Sequence, residues 1–564
     1  MDWNDNTYFD ICVIGSGPAG IIVALEYASN NPEKSVILVE YGNKNQSKEN
    51  ALDNSISLAN KVNHHPPYEC TNKGLGGTSA TWGGRCVSYD EVDFLDRPVL
   101  EGNCTWDLSL FEDVKKFMAP AARYFECGTP AFDLTELRHI PYKPVAEGFK
   151  KGVVTDSALE RWSMPTRFGK RYADDIERQH NLTLLQGVEA RDFSSPDGDD
   201  NISYLHVREV RTGVLTKIKA TAFVLAAGAQ ETTRLLLRNT QLFNNIGGKP
   251  DALGKYYQGH LSGKIASVKF KGNPKKTDYG FIRDTDGTYL RRRFQFDNKF
   301  LQANNLLNTA IWLDNPLYFD PKHRSGAMSF MYMAMITPVL GKKLAPPAIA
   351  HSVTKGKVNN LPGHLSNICR GLPNSLLKPA SIFYKRYLLK RKLPGVFLFS
   401  PDNCYALHFH SEQTPNAQSN MLLGSDGESL IINYELTDAD VASVIKLHEV
   451  LDESLKESGC GELKYWFSKD ELPEAIKTMS KDGLHQNGTT RIADSSQLGV
   501  VDRNLKVWGT KNVFVCSSSV FPTSGQANPT FFLGAFAVRL AHHLNKVMTI
   551  SGPEKITTEL IEPC

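Results

Sequence analysis

The sequence predicts a mixed α/β protein, α+β overall, in which one domain is assembled from both ends of the chain. Three observations predict it. A strand, a glycine turn and a helix follow one another over residues 9–28. A polar His…Asn pattern lies in residues 485–530, near the other end. Between the two, alternating and turn-rich segments indicate a second, mostly antiparallel sheet.

The first element is an apolar run, residues 9–14, of the length of a buried parallel strand. Gly15, Gly17 and Gly20 follow in the GxGxxG spacing. The first permits a tight turn, the second lets backbone approach a pyrophosphate, and the third lets the helix pack on the strand. The next predicted strand ends at Glu40, whose carboxylate can accept ribose hydroxyls and would repel a 2′-phosphate. The pattern predicts a Rossmann-type dinucleotide domain.

Two later segments are predicted as further strands of the same sheet. They are residues 181–185 and residues 223–228, and a helix is predicted directly after the second. The position of the glycine turn at the start of a long chain, together with this late strand, favours FAD over NAD. The cofactor contacts predicted in these elements are Val188, Ala227, Gly228 and Glu231.

A glycine-rich loop follows, with five glycines in residues 74–85. Such a loop lets backbone come close to a flat ligand and offers it N–H groups. Trp82 can wall the ring of that ligand, which makes the alternative, a flexible surface loop, the weaker interpretation. The cofactor contacts predicted here are Gly76, Gly77, Thr78, Thr81 and Trp82.

His485 and Asn528 lie 43 positions apart, each among small, polar, turn-forming residues. An alcohol releases hydride only as its hydroxyl proton leaves, and histidine is the usual base for that proton. Asparagine can hold and orient the same hydroxyl. Taken alone, His485 is also compatible with a structural histidine. A helix predicted to begin at Pro529 and Thr530 would aim its positive end at the reduced cofactor ring.

Together these segments resemble the glucose–methanol–choline (GMC) oxidoreductases. The resemblance covers residues 8–90, 181–262 and 480–545 and is weak elsewhere. Its most specific part is the stretch VVDRNLKVWGTKNVFVCSSSVFPTSGQANPT, whose Asn-Pro ending is similar to that of pyranose 2-oxidase and bacterial glycoside oxidases. The resemblance implies that His485 is the catalytic base and Asn528 its partner.

Three positions depart from those relatives. Thr81 stands where pyranose 2-oxidase attaches FAD through a histidine, so we expect non-covalent FAD. Gly83 stands where that enzyme has a threonine near flavin N5, which argues against fast reaction with oxygen. The acceptor is therefore either oxygen or, as in a dehydrogenase, another electron acceptor. Ser517 replaces an acid that many members carry near the flavin phosphates and ribityl chain, and it remains a predicted cofactor contact.

The resemblance implies FAD-dependent oxidation of a secondary ring hydroxyl, at C2 or C3, of a sugar or glycoside to a keto sugar. Hydride would pass to flavin N5 as His485 takes the hydroxyl proton. One alternative is a GMC-type oxidase or dehydrogenase of another alcohol, such as a sterol or polyol. Another is a catalytically silent flavin-binding protein, against which the intact His485 and Asn528 argue.

The positions of the motifs predict a discontinuous FAD-binding domain and a substrate-binding domain. A strand predicted over residues 405–410 alternates, so that His408 and His410 share one face. They are predicted substrate contacts, and surface or core histidines are an equal alternative. The predicted ranges are 1–100, 181–262 and 480–564 for the FAD-binding domain, and 101–180 and 263–479 for the substrate-binding domain.

A basic insert lies near residues 321–401, with nine Lys, four Arg and no Asp or Glu. Lys378, Lys385 and Lys392 are seven residues apart and would share a helical stripe, roughly opposite aromatic and aliphatic residues. The pattern predicts contact with an anionic membrane or a lipid-linked glycan. A solvated face and a contact within a homo-oligomer are the alternatives.

Composition limits the remaining possibilities. The 564 residues exceed one compact core, and the net charge of +3 indicates no nucleic-acid partner. Ten cysteines without CxxC or metal-like spacing indicate a reducing compartment and no metal. The polar first ten residues predict no signal peptide, and no apolar run reaches the roughly 18 residues of a transmembrane helix. We therefore expect a cytoplasmic enzyme, either free or peripheral to the inner face of the membrane.

Overall fold

The computed structural model describes residues 7–43, 55–163, 166–195, 199–315, 319–337 and 360–550. The strands are β1 (Tyr8–Ile14), β2 (Val36–Glu40), β3 (Ile56–Leu58), β4 (Arg85–Cys86), β5 (Val154–Trp162), β6 (Leu182–Gln186), β7 (Val188–Ser194), β8 (Tyr204–Glu209), β9 (Leu215–Leu225), β10 (His260–Phe270), β11 (Ile282–Arg283), β12 (Tyr289–Phe296), β13 (Thr309–Asp314), β14 (Cys404–Glu412), β15 (Asn420–Leu423), β16 (Leu430–Asn433), β17 (Gly461–Tyr465) and β18 (Val513–Val515). The helices are α1 (Pro18–Asn30), α2 (Pro67–Cys70), α3 (Leu108–Lys115), α4 (Met118–Phe125), α5 (Phe168–Arg178), α6 (Gly228–Arg238), α7 (Asn298–Ala303), α8 (Gly326–Ile336), α9 (Leu361–Arg370), α10 (Asn374–Phe383), α11 (Asp438–Glu457), α12 (Leu472–Met479) and α13 (Pro529–Ile550).

The first sheet has a parallel centre in the order β6-β2-β1-β9, with β18 also parallel to β9. The strands β1 and β2 are apolar and almost wholly buried, because helices cover both faces of a parallel sheet. The first half of β9 instead pairs with the antiparallel strand β8, which pairs in turn with β7. This arrangement confirms the predicted Rossmann-type domain. The strand predicted over residues 223–228 overlaps only the end of the longer β9, which stops at Leu225, and α6 begins at Gly228.

The second sheet is antiparallel and has the order β17-β10-β14-β13-β12-β5-β4, with β11 beside β12. Its central strand β14 contains the predicted strand 405–410 and lies between β10 and β13. The apolar side chains of α11 share a core with this sheet. The mostly antiparallel second sheet is thus confirmed. A third, three-stranded sheet has the order β15-β16-β3.

The hydrophobic cores cross the predicted domain limits. The helices α3 and α4 lie in the range assigned to the substrate-binding domain, yet their buried residues belong to the core around the first sheet. Phe125 of α4, for example, lies 5.7 Å from the ring of Phe531 in α13. Conversely, β4 lies in the range assigned to the FAD-binding domain and pairs with β5 of the second sheet. The domain boundaries stay a prediction.

The basic insert connects β13 to β14 through α8, α9, α10 and a π-helical turn over Tyr384–Leu388. Residues 338–359, with four of its lysines, lie outside the described residues. The predicted helical stripe of Lys378, Lys385 and Lys392 is wrong for Lys392, which does not lie on the helix. The helix ends at Leu388 because Leu389 takes an extended backbone, so Lys392 lies beyond it. Among the described helices, none has both the length and the hydropathy needed to cross a bilayer.

Candidate active site

The carboxyl ends of four neighbouring parallel strands meet at one edge of the first sheet. Gly15 follows β1, Glu40 ends β2, Ala227 follows β9, and Ser517 follows β18. A backbone hydrogen bond of 2.8 Å, from the N–H before Ser517 to the last carbonyl of β9, fixes the last two ends side by side. Ligands of open α/β sheets bind in the crevice outside such ends. Four of the predicted cofactor residues therefore lie at the edge where a nucleotide would bind.

The glycine turn combines close packing at one position with open space at another. Gly15 has φ of 100°, a left-handed backbone that favours glycine. A Cβ on Gly20 would lie 1.9 Å from Gly15 O, so only glycine lets α1 approach β1 this closely. A Cβ on Gly17 would meet nothing within 4 Å. The helix α1 begins after Gly17 without a side-chain cap, which leaves its positive end facing that space.

Glu40 is buried and connects the glycine turn to the glycine-rich loop. Its Oε2 accepts from Ser16 N at 3.0 Å and Ser16 Oγ at 2.7 Å. Its Oε1 accepts from Gly42 N at 2.8 Å and Gly74 N at 2.7 Å. The carboxylate predicted to bind ribose hydroxyls is thus engaged by four protein donors. A ribose contact would have to displace one of them, and the role of Glu40 stays a prediction.

The glycine-rich loop packs directly on the glycine turn. Gly76 N donates to Ser16 O at 2.8 Å, and a Cβ on Gly77 would lie 3.1 Å from Gly17 Cα. The loop continues from Gly77 as a single 3-10 turn of four residues. The hydroxyl of Thr78 accepts from the backbone N–H of residue 72 at 3.2 Å. The loop therefore places its backbone beside the predicted phosphate position.

Two further side chains of this loop have protein partners. Asn72 Nδ2 donates to Thr81 Oγ1 at 2.6 Å, and Thr81 is exposed. The indole N–H of Trp82 donates to Thr166 O at 2.9 Å, and its ring lies 5.8 Å from that of the phenylalanine that ends α4. The indole is consequently fixed in position. A Cβ on the next residue, Gly83, would meet nothing within 4 Å.

Three of the remaining predicted cofactor residues lie on β7 and on the helix α6, which follows β9. Val188 begins β7 and is buried. Gly228 begins α6 with φ of 74°, and a Cβ there would meet nothing within 4 Å. Glu231, in the first turn of α6, forms an ion pair with Arg234 at 2.5 Å. Of these three, Gly228 leaves the most room for a ligand, and the cofactor roles of all three stay predictions.

The structure brings His485 and Asn528 together. Asn528 Nδ2 lies 2.6 Å from His485 Nε2. The other nitrogen, Nδ1, lies 3.2 Å from Asp482 Oδ2. Because a carboxylate only accepts, Nδ1 carries the proton and Nε2 presents a lone pair that accepts from Asn528. Asn528 Oδ1 is buried without a hydrogen-bond partner among the described residues, and α13 begins directly after it with Pro529 and Thr530.

Asp482 organises the histidine through backbone as well as side-chain contacts. Its Oδ1 accepts from the N–H groups of Leu484 and His485 at 2.8 and 3.1 Å, and its Oδ2 accepts from His260 N at 2.7 Å. Burial alone would raise the pKa of Asp482, but His485 and His260 hold it well below its usual value. The site therefore contains a buried anion that faces two imidazoles.

Two more histidines line the same site. The rings of His260 and His410 stack with centroids 4.1 Å apart, and the ring of His485 meets them edge-on at 4.9 and 5.4 Å. His410 Nδ1 donates to Gln526 O at 2.7 Å. Burial lowers the pKa of His260 and lowers that of His410 still further, so both are neutral near pH 7. Ring nitrogens of the three lie within 4.8 Å of one another, close enough to share a metal ion, and the predicted absence of a metal stays a prediction.

A polar and aromatic wall continues from His410 along the second sheet. His408 stacks on Trp312 at 4.5 Å and contacts the hydroxyl of a serine on β10 through Nε2 at 2.9 Å. The guanidinium carbons of Arg85 and Arg291 each lie 4.5 Å from the centre of the Trp312 ring. Glu160 pairs with both arginines and is fully buried. This wall is charged, aromatic and rich in hydrogen-bond donors.

Asp482, His260 and Arg85 were missed by the sequence analysis. Asp482 precedes His485 by three residues, a spacing at which an aspartate can cap the following backbone, and this local signal was available. His260 lies 222 residues from Asp482, so only the fold brings them together. Arg85 is the last residue of the glycine-rich loop, but no sequence feature connects it to Trp312.

Comparison with known proteins finds a family model that matches part of the chain. The family model for GMC oxidoreductases matches residues 415–537, the segment that contains His485 and Asn528. The C-terminal segment of the chain therefore matches the C-terminal domain of the GMC oxidoreductases. This match agrees with the predicted family and with the predicted FAD-dependent oxidoreductase acting on CH–OH donors. No match was found among curated proteins.

Solved structures agree in fold at low sequence identity. A fungal aryl-alcohol oxidase is 15% identical with a TM-score of 0.50, and the match covers 97% of this chain and 100% of that one. A formate oxidase is 15% identical with a TM-score of 0.51, again over 97% and 100% of the chains. At this identity the likeness carries the fold alone, and the substrate has to be argued from this chain's own site.

Proposed function

We propose that this protein is a GMC oxidoreductase that oxidises a secondary ring hydroxyl, at C2 or C3, of a sugar or glycoside to a keto sugar, with FAD held non-covalently. The observation that carries the proposal is the arrangement of His485. Its Nδ1–H is held by a buried carboxylate, and its Nε2 lone pair points at the amide of Asn528. A base and a hydroxyl-orienting amide thus stand together, as alcohol oxidation requires.

The residues present fit FAD. Gly17, Gly83 and Gly228 each face space that a side chain would fill. The uncapped start of α1 offers backbone N–H groups to a pyrophosphate. The first turn of α13, which begins at Pro529 and Thr530, can place its positive end near the pyrimidine side of the flavin. FAD, when bound, supplies the acceptor for the hydride of the alcohol.

The proton chemistry belongs to this chain's own residues. His485 Nε2 takes the hydroxyl proton, and the resulting imidazolium keeps its Nδ1–H hydrogen bond to Asp482. Asn528 Nδ2 then donates to the substrate oxygen instead of to Nε2. Because His260 and His410 are neutral, they add no positive charge that would oppose protonation of His485.

The wall beside this pair supports a sugar in preference to a sterol. Arg85, Arg291 and Glu160 present charge, and Trp312 and His408 present aromatic rings and a hydrogen-bonding edge. Arg85 and Arg291 are paired with Glu160, but Arg85 Nη2 is buried without a hydrogen-bond partner among the described residues. A sterol offers this donor no acceptor, whereas a sugar hydroxyl can accept from it. A polyol remains the other alcohol class that meets this requirement.

Anaerobic reduction of the bound flavin tests the proposal. Methyl glycosides should bleach the yellow colour, and a 2-deoxy or 3-deoxy glycoside that fails to do so identifies the carbon that is oxidised. Bleaching by a sterol or polyol alone would replace the sugar assignment with the corresponding alcohol. A protein that is yellow but never bleached by any alcohol would instead be a silent flavin-binding protein. Reoxidation by oxygen, compared with a quinone, identifies the acceptor.

Non-covalent attachment is supported by Thr81, which is hydrogen-bonded to Asn72 and cannot form the histidyl link of the similar oxidases. Acid precipitation should leave the flavin in the supernatant, and flavin in the pellet would contradict this. The nine cysteines of the described residues are free, which supports a reducing, cytoplasmic location. Contact with a membrane rests on a different part of the molecule and does not depend on the redox site.

A further inference from the structure

The insert between β13 and β14 exposes a concentration of large apolar side chains. Of the 23 exposed large apolar residues in the described chain, eight lie in residues 361–388. Soluble proteins expose single apolar residues everywhere, but a dense group marks an interaction surface. The most exposed of the group are Leu377 at 61% and Leu388 at 68%.

On α10 and its π-helical turn these side chains follow a helical spacing. Ser375 and Pro379 are buried, and Ile382 packs against a small core formed with α8. The opposite side is exposed and is apolar where a helix of a soluble protein is normally polar. Its members are Leu376, Leu377, Phe383, Tyr384 and Leu388.

The same segment is uniformly basic. Residues 319–337 and 360–401 contain five Lys, four Arg and no Asp or Glu other than Asp320. Two of these cations are structural, since Arg386 donates to Pro394 O at 3.0 Å and Arg391 donates to Glu126 O at 2.6 Å. The side chains of Lys385 and Lys390 are exposed, and that of Lys392 is half-buried. The apolar face is accordingly accompanied by lysines with no acid of the described part of the insert beside them.

We infer that α9, α10 and the π-helical turn dock on the surface of an anionic lipid bilayer. The leucines would enter the boundary between headgroups and acyl chains, as the apolar face of an interfacial helix does. Tyr384 has an apolar ring and a polar tip, which suits the headgroup level. The lysines would meet the lipid phosphates or carboxylates.

A second copy of this chain fits the surface less well. A twofold interface pairs the same patch from both subunits. It would therefore bring the patch that contains Lys385, Lys390 and Lys392 against the identical basic patch of the second copy. The insert offers no carboxylate in its described helices to compensate that repulsion. An anionic bilayer satisfies both the exposed apolar groups and the charge.

Vesicle co-sedimentation of the full-length flavin-loaded protein tests the inference. Vesicles of phosphatidylcholine alone are compared with vesicles that also contain phosphatidylserine, at low salt and at ~0.5 M salt, where the Debye length is only a few ångströms. A basic variant carries Lys385→Gln, Lys390→Gln and Lys392→Gln. An apolar variant carries Leu377→Ser and Leu388→Ser.

Matched controls change the same chemistry elsewhere on the surface. For the charge, exposed lysines outside the insert are replaced: Lys150→Gln, Lys275→Gln and Lys469→Gln. For the apolar pair, Val214→Ser and Leu215→Ser remove side chains that are 60% and 67% exposed. None of these residues belongs to the redox site, so reduction of the flavin by a soluble alcohol should stay unchanged in all four variants.

We expect binding to anionic vesicles at low salt, weakened in high salt and on neutral vesicles. The basic variant should lose about fivefold in affinity for each lysine removed, the usual effect of one cation near such a surface. The apolar variant should lose binding at both salt concentrations, and the controls should match the wild type. No binding by the wild type overturns the inference, as does equal loss in the controls. Dimerisation that the apolar variant abolishes, in a protein that ignores vesicles, assigns the surface to a second copy instead.

Discussion

Replacing Asp482 by asparagine tests whether this buried carboxylate sets the tautomer of His485 and stabilises the imidazolium that forms during the reaction. Asp482 Oδ2 lies 3.2 Å from His485 Nδ1. With an effective dielectric constant near 20, opposite charges at that separation attract by about 5 kcal/mol. The net loss in the variant is smaller than this attraction, because the charges are partly desolvated and because the asparagine can still form a neutral hydrogen bond. A close opposite charge typically stabilises a charged group by roughly 1.4–4 kcal/mol.

We therefore expect Asp482→Asn to slow flavin reduction by about 10- to 1,000-fold. The introduced amide can also donate to Nδ1, which would move the imidazole proton to Nε2 and remove the lone pair that acts as base. The backbone N–H groups of Leu484 and His485 keep an oxygen acceptor, so the loop and the bound FAD should be retained.

The assay is anaerobic stopped-flow reduction over a range of pH, with FAD content measured alongside. Because the imidazolium that forms in the reaction loses its anion, the rate of flavin reduction should fall at every pH measured. Asp438→Asn is the control, since Asp438 is exposed and its ion pair is with Lys477 on the surface. A wild-type rate and profile, or a loss explained entirely by missing FAD, would refute the reasoning.

Two further predictions concern the turn and the core. Gly17→Val should fold but bind little FAD, because its side chain enters the open space assigned to the cofactor. Gly20→Ala should fail to fold or melt at a far lower temperature, because its Cβ would lie 1.9 Å from Gly15 O. Flavin absorbance and melting temperature separate the two variants, and normal FAD content in Gly17→Val would contradict the assignment. Burial lowers the pKa of His448 from 6.5 to about 4, so this residue should contribute stability that is complete above pH ~6.5 and falls by up to about 3 kcal/mol towards pH ~4. His448→Phe should flatten the dependence of melting temperature on pH over this range, and an unchanged slope would show that His448 is protonated in the folded protein.

The elements predicted best from the sequence are those with local signals. The apolar run before Gly15, the glycine spacing and the second strand ending at Glu40 lie within about 30 residues, and β1, α1 and β2 form as predicted. The strand predicted over residues 223–228 starts too late and runs past the end of β9, which spans Leu215–Leu225. Its first half, from Leu215, alternates between exposed and buried residues and pairs with β8 in a hairpin that the apolar pattern does not reveal.

Long-range packing limits the prediction of the rest. The helices α3 and α4 are short and amphipathic, and nothing in their sequence indicates that they pack on α13, more than 400 residues away. The same holds for the site. The pairing of His485 with Asn528 is predictable from residue chemistry, since both lie in one C-terminal segment. The contribution of His260 and the stacking of Trp312 on His408 depend on the order of strands in the second sheet.

The rate of anaerobic flavin reduction in His485→Ala tests the assignment of the catalytic base most directly. The variant should retain FAD, because no described contact of His485 reaches the glycine turn or the glycine-rich loop. Reduction by the best glycoside should slow by about 10² to 10⁴, the usual contribution of a general base. Asn528→Ala, which leaves the base in place, should lose less. A His485→Ala protein that holds FAD and is reduced at the wild-type rate would contradict the assignment of His485 as the base.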